Sequence, residues 1–300
     1  MLTFLPGPIR GALGVLFLIF NTLFWGIPVY ITALFKLALP FKATRRFFDF
    51  ILNWLSYTWM YCNNMFIGLL KEVEYDVQGL EELELDEWYL VIANHQTWVD
   101  IITVQKIFHK RIPFLKYFLK KELIWIPILG LAWWALDYPF MKRYSREYLE
   151  KNPHMKGKDI ESTRKACEKF KDRPASLMNF VEGTRFTPEK KASRRSPYRH
   201  LLEPRSGGIA FVLSAMGGYM RKIIDVTIVY PDGAPDTWEF LTGKKTRIAV
   251  RIEVLPIDTA LVSDDPDDGE VRDRINRWLN SLWHRKDGII DKVLQEYRVL

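Results

Sequence analysis

Two long apolar stretches open the chain, and their polar positions differ. From Gly11 to Phe35 no residue carries a charge. As a helix rising about 1.5 Å per residue, that stretch is long enough to cross a hydrocarbon core of about 30 Å, with Pro28 near its far end. A cleaved signal peptide is the competing reading. The stretch is longer than such a leader needs and lacks a convincing small-residue cleavage site, so an uncleaved membrane helix is favoured. The second uncharged run, Phe50 to Leu70, puts Asn53, Ser56, Asn63 and Asn64 on one helical face, with only Thr58 opposite. That stripe suits a helix packed against the first one, whether it spans, lies in the interface, or returns as a hairpin dipping into one leaflet. Lys36, Lys42, Arg45 and Arg46 lie between the two runs and prefer the cytoplasmic side. If both runs spanned, this basic loop and the basic remainder of the chain would lie on opposite faces of the membrane.

After Leu70 the period changes. Glu72 to Val77 and Trp88 to Ala93 read as strands, Trp98 to His109 as a helix, and Ser176 to Val181 as a buried strand. Leu123 to Leu136 is uncharged and holds Trp125, Trp133 and Trp134, which suits a core helix or a membrane-contacting surface. Asp159 to Lys171 has the spacing of an amphipathic helix. Thr246 to Leu255 alternates apolar and charged residues, as an edge or half-exposed strand does. Beyond Ile257 the chain turns acidic. Asp264, Asp265, Asp267 and Asp268 suggest a calcium loop, but Pro266 stands where an oxygen ligand is needed, so a charged linker is expected. Glu270 to Leu300 then forms one or two amphipathic helices with Ile275, Trp278, Leu279, Leu282 and Trp283 on one side. The pattern divides the chain into a membrane anchor over 1–70, an α/β domain over 71–260 and a C-terminal helical extension over 261–300.

Composition narrows the partner. Aromatic content is 14% with 11 Trp, which suits a lipid–water interface. A net charge of +7 calls for an anionic partner, either nucleic acid or an acidic membrane. No helix-turn-helix, zinc finger or RNP-type aromatic motif is present, so nucleic acid is set aside. Cys62 and Cys167 suggest a reducing compartment, and neither belongs to a nucleophile or metal pattern. The sequence offers no metal site and no internal repeat.

Two short strings carry chemistry. Asn94-His95-Gln96-Thr97-Trp98-Val99-Asp100 follows the apolar run that ends at Ala93, and Phe180-Val181-Glu182-Gly183-Thr184-Arg185 ends the other buried strand. Histidine titrates near neutral pH and is the usual general base. A carboxylate accepting from its second nitrogen fixes the tautomer, and five residues suffice if Asp100 lies in the first turn of the next helix. In the second string glycine admits a close backbone approach, while Thr184 and Arg185 supply donors, the guanidinium with a fork suited to phosphate. Taken alone, His95 could be structural, and Glu182 with Arg185 could form a mere surface ion pair. Lys190, Lys191, Arg194, Arg195 and Arg199 extend a basic loop that ends at Arg205, either solvated or available to lipid headgroups or an acyl-carrier partner.

Both strings, in this order, resemble the glycerolipid acyltransferase family, of the bacterial 1-acylglycerol-3-phosphate O-acyltransferase type, over roughly residues 70 to 260. The resemblance implies an α/β fold with a mixed β-sheet flanked by helices. It implies that His95 is the catalytic base, that Asp100 orients it, and that Glu182, Gly183, Thr184 and Arg185 bind the acceptor. Phe140-Met141-Lys142-Arg143 is similar to a weaker block that would make Arg143 a second phosphate contact. Pro204-Arg205-Ser206-Gly207 looks like the family's basic element before a helix, which adds Arg205, and Val226 to Pro231 loosely matches its last block. Val181 stands where most members carry proline. The implied activity is acyl transfer from a thioester, acyl coenzyme A or acyl-carrier protein, to the free hydroxyl of lysophosphatidic acid or a related lysophospholipid. No cofactor is implied beyond that co-substrate. The expected location is the inner (cytoplasmic) membrane with the catalytic domain facing the cytoplasm. A degenerate lipid-binding membrane protein and a lipid hydrolase are the alternatives.

Overall fold

The computed structural model describes residues 2–39, 41–126, 128–141, 161, 164–165, 167–170, 173–244, 246–265 and 268–299. Two helices, α1 (Gly7–Ala38) and α2 (Lys42–Leu70), form an antiparallel hairpin. The polar stripe of α2 has a physical purpose, because Asn21 donates to Asn63 at 2.7 Å and to the Trp59 carbonyl at 3.1 Å across the helix pair. Phe17 stacks on Phe66 with ring centroids 3.8 Å apart. The outer face of α1 stays apolar and exposed, with Leu16, Phe20, Phe24, Ile27, Leu34 and Phe35 all more than half or nearly half accessible. Among the described residues α1 is the one helix long and apolar enough to cross a membrane.

The domain behind the hairpin is a mixed sheet. Its strands are β1 (Val73–Gln78), β2 (Tyr89–Ala93), β3 (Leu115–Tyr117), β6 (Ser176–Phe180), β7 (Lys222–Val229) and β8 (Thr246–Pro256), in the order β1-β8-β7-β2-β6-β3. The short strands β4 (Leu119–Lys120) and β5 (Phe140–Met141) pair separately. Strand β2, Tyr-Leu-Val-Ile-Ala, is buried at every position, as an apolar run between two parallel neighbours must be. Helix α3 (Val99–Phe108) lies on one face with the end of α2, and α6 (Ser206–Met216) and α8 (Gly269–Val299) cover the other. Helices α4 (Leu129–Ala135), α5 (Pro188–Arg194) and α7 (Thr237–Thr242) fill the connections.

Several expectations need correction. The Trp-rich segment is not one helix: a 3-10 turn over Lys121–Trp125 is followed by α4, with Ile128 at φ 70° between them. Sequence contributes Pro127 at this break, a residue that cannot continue a helix ladder. Trp125 is 85% exposed while Trp133 packs against the Met60–Phe114–Tyr138 cluster, so the segment supplies both core and surface. Strand β8 is not an edge; it lies between β1 and β7, and its alternation reflects one partly open face. The basic loop contains α5, which Thr187 caps by accepting from the Lys190 N–H at 3.2 Å. Nearly half of 159–171 lies outside the described residues; Glu168–Phe170 is a 3-10 turn.

The C-terminal segment is a single helix, and it belongs to the core. Trp283 is fully buried. Lys286, also fully buried, pairs with Asp225 at 2.6 Å and donates to the Val226 carbonyl at 2.8 Å and to Thr227 Oγ1 at 3.0 Å, all on β7. Removing one member of such a pair leaves a bare charge in the interior. Lys286→Met is therefore expected to cost about 3–5 kcal/mol, and Lys286→Met with Asp225→Leu to recover part of it. Denaturant unfolding of the detergent-solubilised protein, followed by tryptophan fluorescence, checks this. An unchanged midpoint for Lys286→Met would show that α8 docks without the ion pair.

Candidate active site

Strands β2 and β6 lie side by side in parallel, with Ala93 opposite Phe180. Chain leaving β2 returns in β3 beyond β6, and chain leaving β6 returns in β7 beyond β2. The two connections diverge, and a crevice opens at the carboxyl ends of the strands. Both sequence blocks emerge there, one from each strand.

The first block is wound around a single carboxylate. Asp100 lies in the first turn of α3 and is fully buried. Its Oδ2 accepts from His95 Nδ1 at 2.8 Å, from the Gln96 N–H at 2.6 Å and from the Thr97 N–H at 2.9 Å. Its Oδ1 accepts from the Tyr230 hydroxyl at 2.6 Å. Burial, and then the Asp100 charge, hold the Tyr230 phenol well above its usual range, so it remains a donor. With Nδ1–H given to Asp100, the basic nitrogen left to His95 is Nε2. The imidazole stacks on Phe180 with ring centroids 4.0 Å apart. Asn94 fixes the strand end, because its side chain donates to the Ile228 carbonyl and accepts from the Ile228 N–H, both at 2.9 Å.

The second block turns at Gly183, whose φ of +68° is left-handed backbone that disfavours any side chain. Gly183, Thr184 and Arg185 face the crevice, a cavity of about 310 Å³ shared with His95, Tyr117, Phe118, Met178 and Val212. The Arg185 guanidinium lies 5.2 Å from the Trp98 ring centroid, a stacking contact that orients the fork. Lys190 donates to Thr184 Oγ1 at 2.8 Å and to the Arg185 carbonyl at 3.1 Å. Arg205 is exposed, and its side chain runs past Gly183. One wall is thus cationic and the opposite wall apolar.

Glu182 points the other way. Its carboxylate is buried, accepts from the Leu202 N–H at 3.3 Å, and forms no ion pair with Arg185. Burial pushes it up to about 8, against the pull of the Leu202 and His95 backbone N–H groups and of Lys286. It supports the turn beneath His95 and does not line the crevice. The main chain ties the blocks as well, with Phe186 N–H donating to the His95 carbonyl at 2.7 Å and Arg205 N–H to the Val181 carbonyl at 2.8 Å. Valine at 181 leaves this turn intact. Arg143, expected as a second phosphate contact, lies outside the described residues.

The structure thus brings His95, Asp100, Gly183, Thr184, Arg185 and Arg205 together and sets Glu182 behind them. Sequence reasoning missed Tyr230, Trp98, Phe180 and the particular part of Lys190. A tyrosine just before Pro231, at the end of an aliphatic strand, was the one available signal.

A family model described as Acyltransferase matches residues 74–231, just over half of the chain, and encloses every residue of the crevice. Over 80% of its length the chain is 27% identical to 1-acyl-sn-glycerol-3-phosphate acyltransferase 3 of Arabidopsis thaliana, covering 62% of that protein. It is 24% identical to 1-acyl-sn-glycerol-3-phosphate acyltransferase delta of Mus musculus over 66% of this chain and 51% of that one. The chain therefore spans between half and two thirds of the length of these relatives. The crystal structure of the 1-acyl-sn-glycerophosphate (LPA) acyltransferase PlsC from Thermotoga maritima superposes with a TM-score of 0.51, at 18% identity and over 98% of both chains. At that identity the likeness concerns the fold, hairpin included.

The Glu182 environment has a measurable consequence. Its carboxyl is raised in the folded state, so the folded protein holds a proton that the unfolded chain has released between pH 4.5 and about 8. Stability is then greatest below that window and falls as pH rises through it. Glu182→Gln is expected to flatten this slope in unfolding free energy measured from pH 5 to 8. A slope identical to wild type would place the buried proton elsewhere.

Proposed function

The chain belongs to the Acyltransferase family, and from that premise we propose that it transfers an acyl group from a thioester to the free hydroxyl of lysophosphatidic acid or a close relative. The observation that carries this reading is the pairing of His95 with buried Asp100 in the same crevice as Thr184 and Arg185. A base and an anion-holding wall share one cavity, with apolar side chains between them to receive hydrocarbon.

In this mechanism Arg185, with Arg205 beside it, holds the acceptor's phosphate. His95 Nε2 removes the proton from the acceptor hydroxyl, and Asp100 stabilises the imidazolium that forms. The oxygen attacks the thioester carbonyl carbon. The tetrahedral oxyanion then collapses, the carbon–sulfur bond breaks, and the thiolate takes its proton from His95. Among the described residues no serine or cysteine lines the crevice, and Thr184 is already engaged by Lys190, which supports direct transfer without an acyl-enzyme. Among the described residues the hydroxyl of Tyr117, a lining residue of the crevice, is buried without a hydrogen-bond partner. Coenzyme A and acyl-carrier protein both fit as the thiol, since nothing in the described crevice selects between them.

The hairpin also bears on the proposed location. The N-terminal half of α1 packs on α7, where Gly11 meets Thr242 and Trp238, and its C-terminal part reaches α4 through Lys36 and the Ala135 carbonyl. A helix held along its length by a polar domain presents only one face to lipid. This supports a hairpin seated in one leaflet, in place of a spanning anchor, with the basic domain on the cytoplasmic side of the inner membrane. The crevice then draws its acceptor from the leaflet and its thioester from water.

Coenzyme A release by the purified protein, measured with acyl coenzyme A in the presence and absence of lysophosphatidic acid, tests the activity. Release that requires the acceptor is expected, and acceptor-independent release of fatty acid would mark a hydrolase. His95→Ala is expected to reduce turnover about 10²–10⁴-fold with folding intact; activity within a few-fold of wild type would falsify the assignment. Arg185→Ala is expected to raise the acceptor KM about tenfold or more, through loss of a contact worth roughly 1.5–3 kcal/mol. A change confined to the donor KM would reverse the two substrate sites.

A further inference from the structure

A second cavity, of about 260 Å³, lies where the tip of the hairpin meets the edge of the sheet. It is separate from the crevice and shares only strand β3 with it. Successive strand residues point to opposite faces, so Tyr117 lines the crevice and Lys116 lines this cavity. Lys36, Arg45, Arg46, Lys116 and Arg173 all face it, against two carboxylates, Asp49 and Asp137.

Both carboxylates are already matched. Lys36 bridges them, 2.7 Å from each, and Arg173 also pairs with Asp49. Lys116 is nearly buried, donates to the Leu136 carbonyl, and holds its ammonium 5.4 Å from the Phe170 ring centroid. Arg45 and Arg46 have no acidic partner among the described residues. The cavity is therefore a concave site with positive charge in excess among the described residues, and the exposed guanidinium forks of Arg45 and Arg46 at its rim would hold an anion.

Its surroundings identify the anion. Phe41, Phe47 and Phe50 stand exposed around the same turn of the hairpin, and Leu52, Phe114 and Leu136 form apolar lining. An aromatic rim around a basic pocket, at the end of two helices with an exposed apolar face, matches the level at which lipid phosphates lie. A free phosphate ion would gain nothing from that rim, whereas a phospholipid gains both its charge and its acyl chains.

We propose that this cavity is a second lipid site, which holds the phosphate of an intact anionic phospholipid and seats the hairpin tip in the leaflet. The site goes beyond the acyl-transfer reading and stands whether or not that reading holds. The test uses the full chain in neutral detergent, with dioctanoyl phosphatidylglycerol as ligand and dioctanoyl phosphatidylcholine as the zwitterionic control. Inorganic phosphate is the competitor, and binding is read by calorimetry. Arg45→Gln with Arg46→Gln is expected to weaken phosphatidylglycerol binding about tenfold or more. The charge-keeping pair Arg45→Lys with Arg46→Lys should lose less than the Gln pair, because it keeps the charge without the fork; Arg185→Ala should leave binding unchanged, and millimolar phosphate should not displace the lipid. Wild-type affinity in the Gln pair would overturn the proposal. Loss in Arg185→Ala would place the lipid in the crevice, and displacement by phosphate alone would make the cavity a site for the free ion; either outcome overturns it as well.

Discussion

One buried carboxylate organises the reactive end of this protein. Asp100 collects a ring nitrogen, two backbone N–H groups and a phenol on its two oxygens, with no accessible surface of its own. A buried charge without such donors would cost several kcal/mol. Here the same donors that stabilise the charge also set the shape: the Gln96 and Thr97 amides wind the loop that starts α3, and the Tyr230 hydroxyl draws in the end of β7. The orientation of His95 is a by-product of satisfying Asp100, and the catalytic role we propose for the pair makes the same demand on this side chain as folding does.

The second constraint is strand adjacency. His95 and Arg185 are distant in sequence, and they meet only because β2 and β6 are in-register parallel neighbours. Glu182 locks that neighbourhood from below. Its burial beneath the His95 main chain, close enough to feel Lys286, couples the His95 turn to the C-terminal helix, outside the segment that the family model matches. Helix α8 therefore contributes to the site without touching the crevice, through Lys286 and β7.

The hairpin relates the chemistry to the membrane. Its inner face is polar enough to hydrogen-bond across the helix pair, its outer face is apolar, and its tip is basic. In the seating we propose, these three surfaces orient the domain, because apolar area is drawn into the leaflet while the cationic tip stays at the phosphate level. In the acyl-transfer reading we propose, an acceptor that never leaves the bilayer would meet a crevice with a cationic wall for its phosphate and an apolar wall for its chain.

Much of this was legible in the chain itself. The uncharged runs specified the hairpin helices, the five apolar residues of β2 its central place, and the two strings the His95–Asp100 pair and the arginine that shares its crevice. These are local signals: period, charge and spacing are properties of neighbours along the backbone. What the sequence could not decide was which way a side chain faces once distant segments pack. Glu182 reads as a ligand-facing acid beside Arg185, but the turn at Gly183 sends it inward. Thr246 to Leu255 reads as an edge or a half-exposed strand, and only the pairing with β1 decides for the second. Lys286 reads as one more charge on an amphipathic helix, yet it is the buried partner of Asp225. Tyr230 gives almost no warning that it completes Asp100. Each depends on a contact between residues far apart in sequence, where burial removes water and makes the identity of a single partner decide the role of the group.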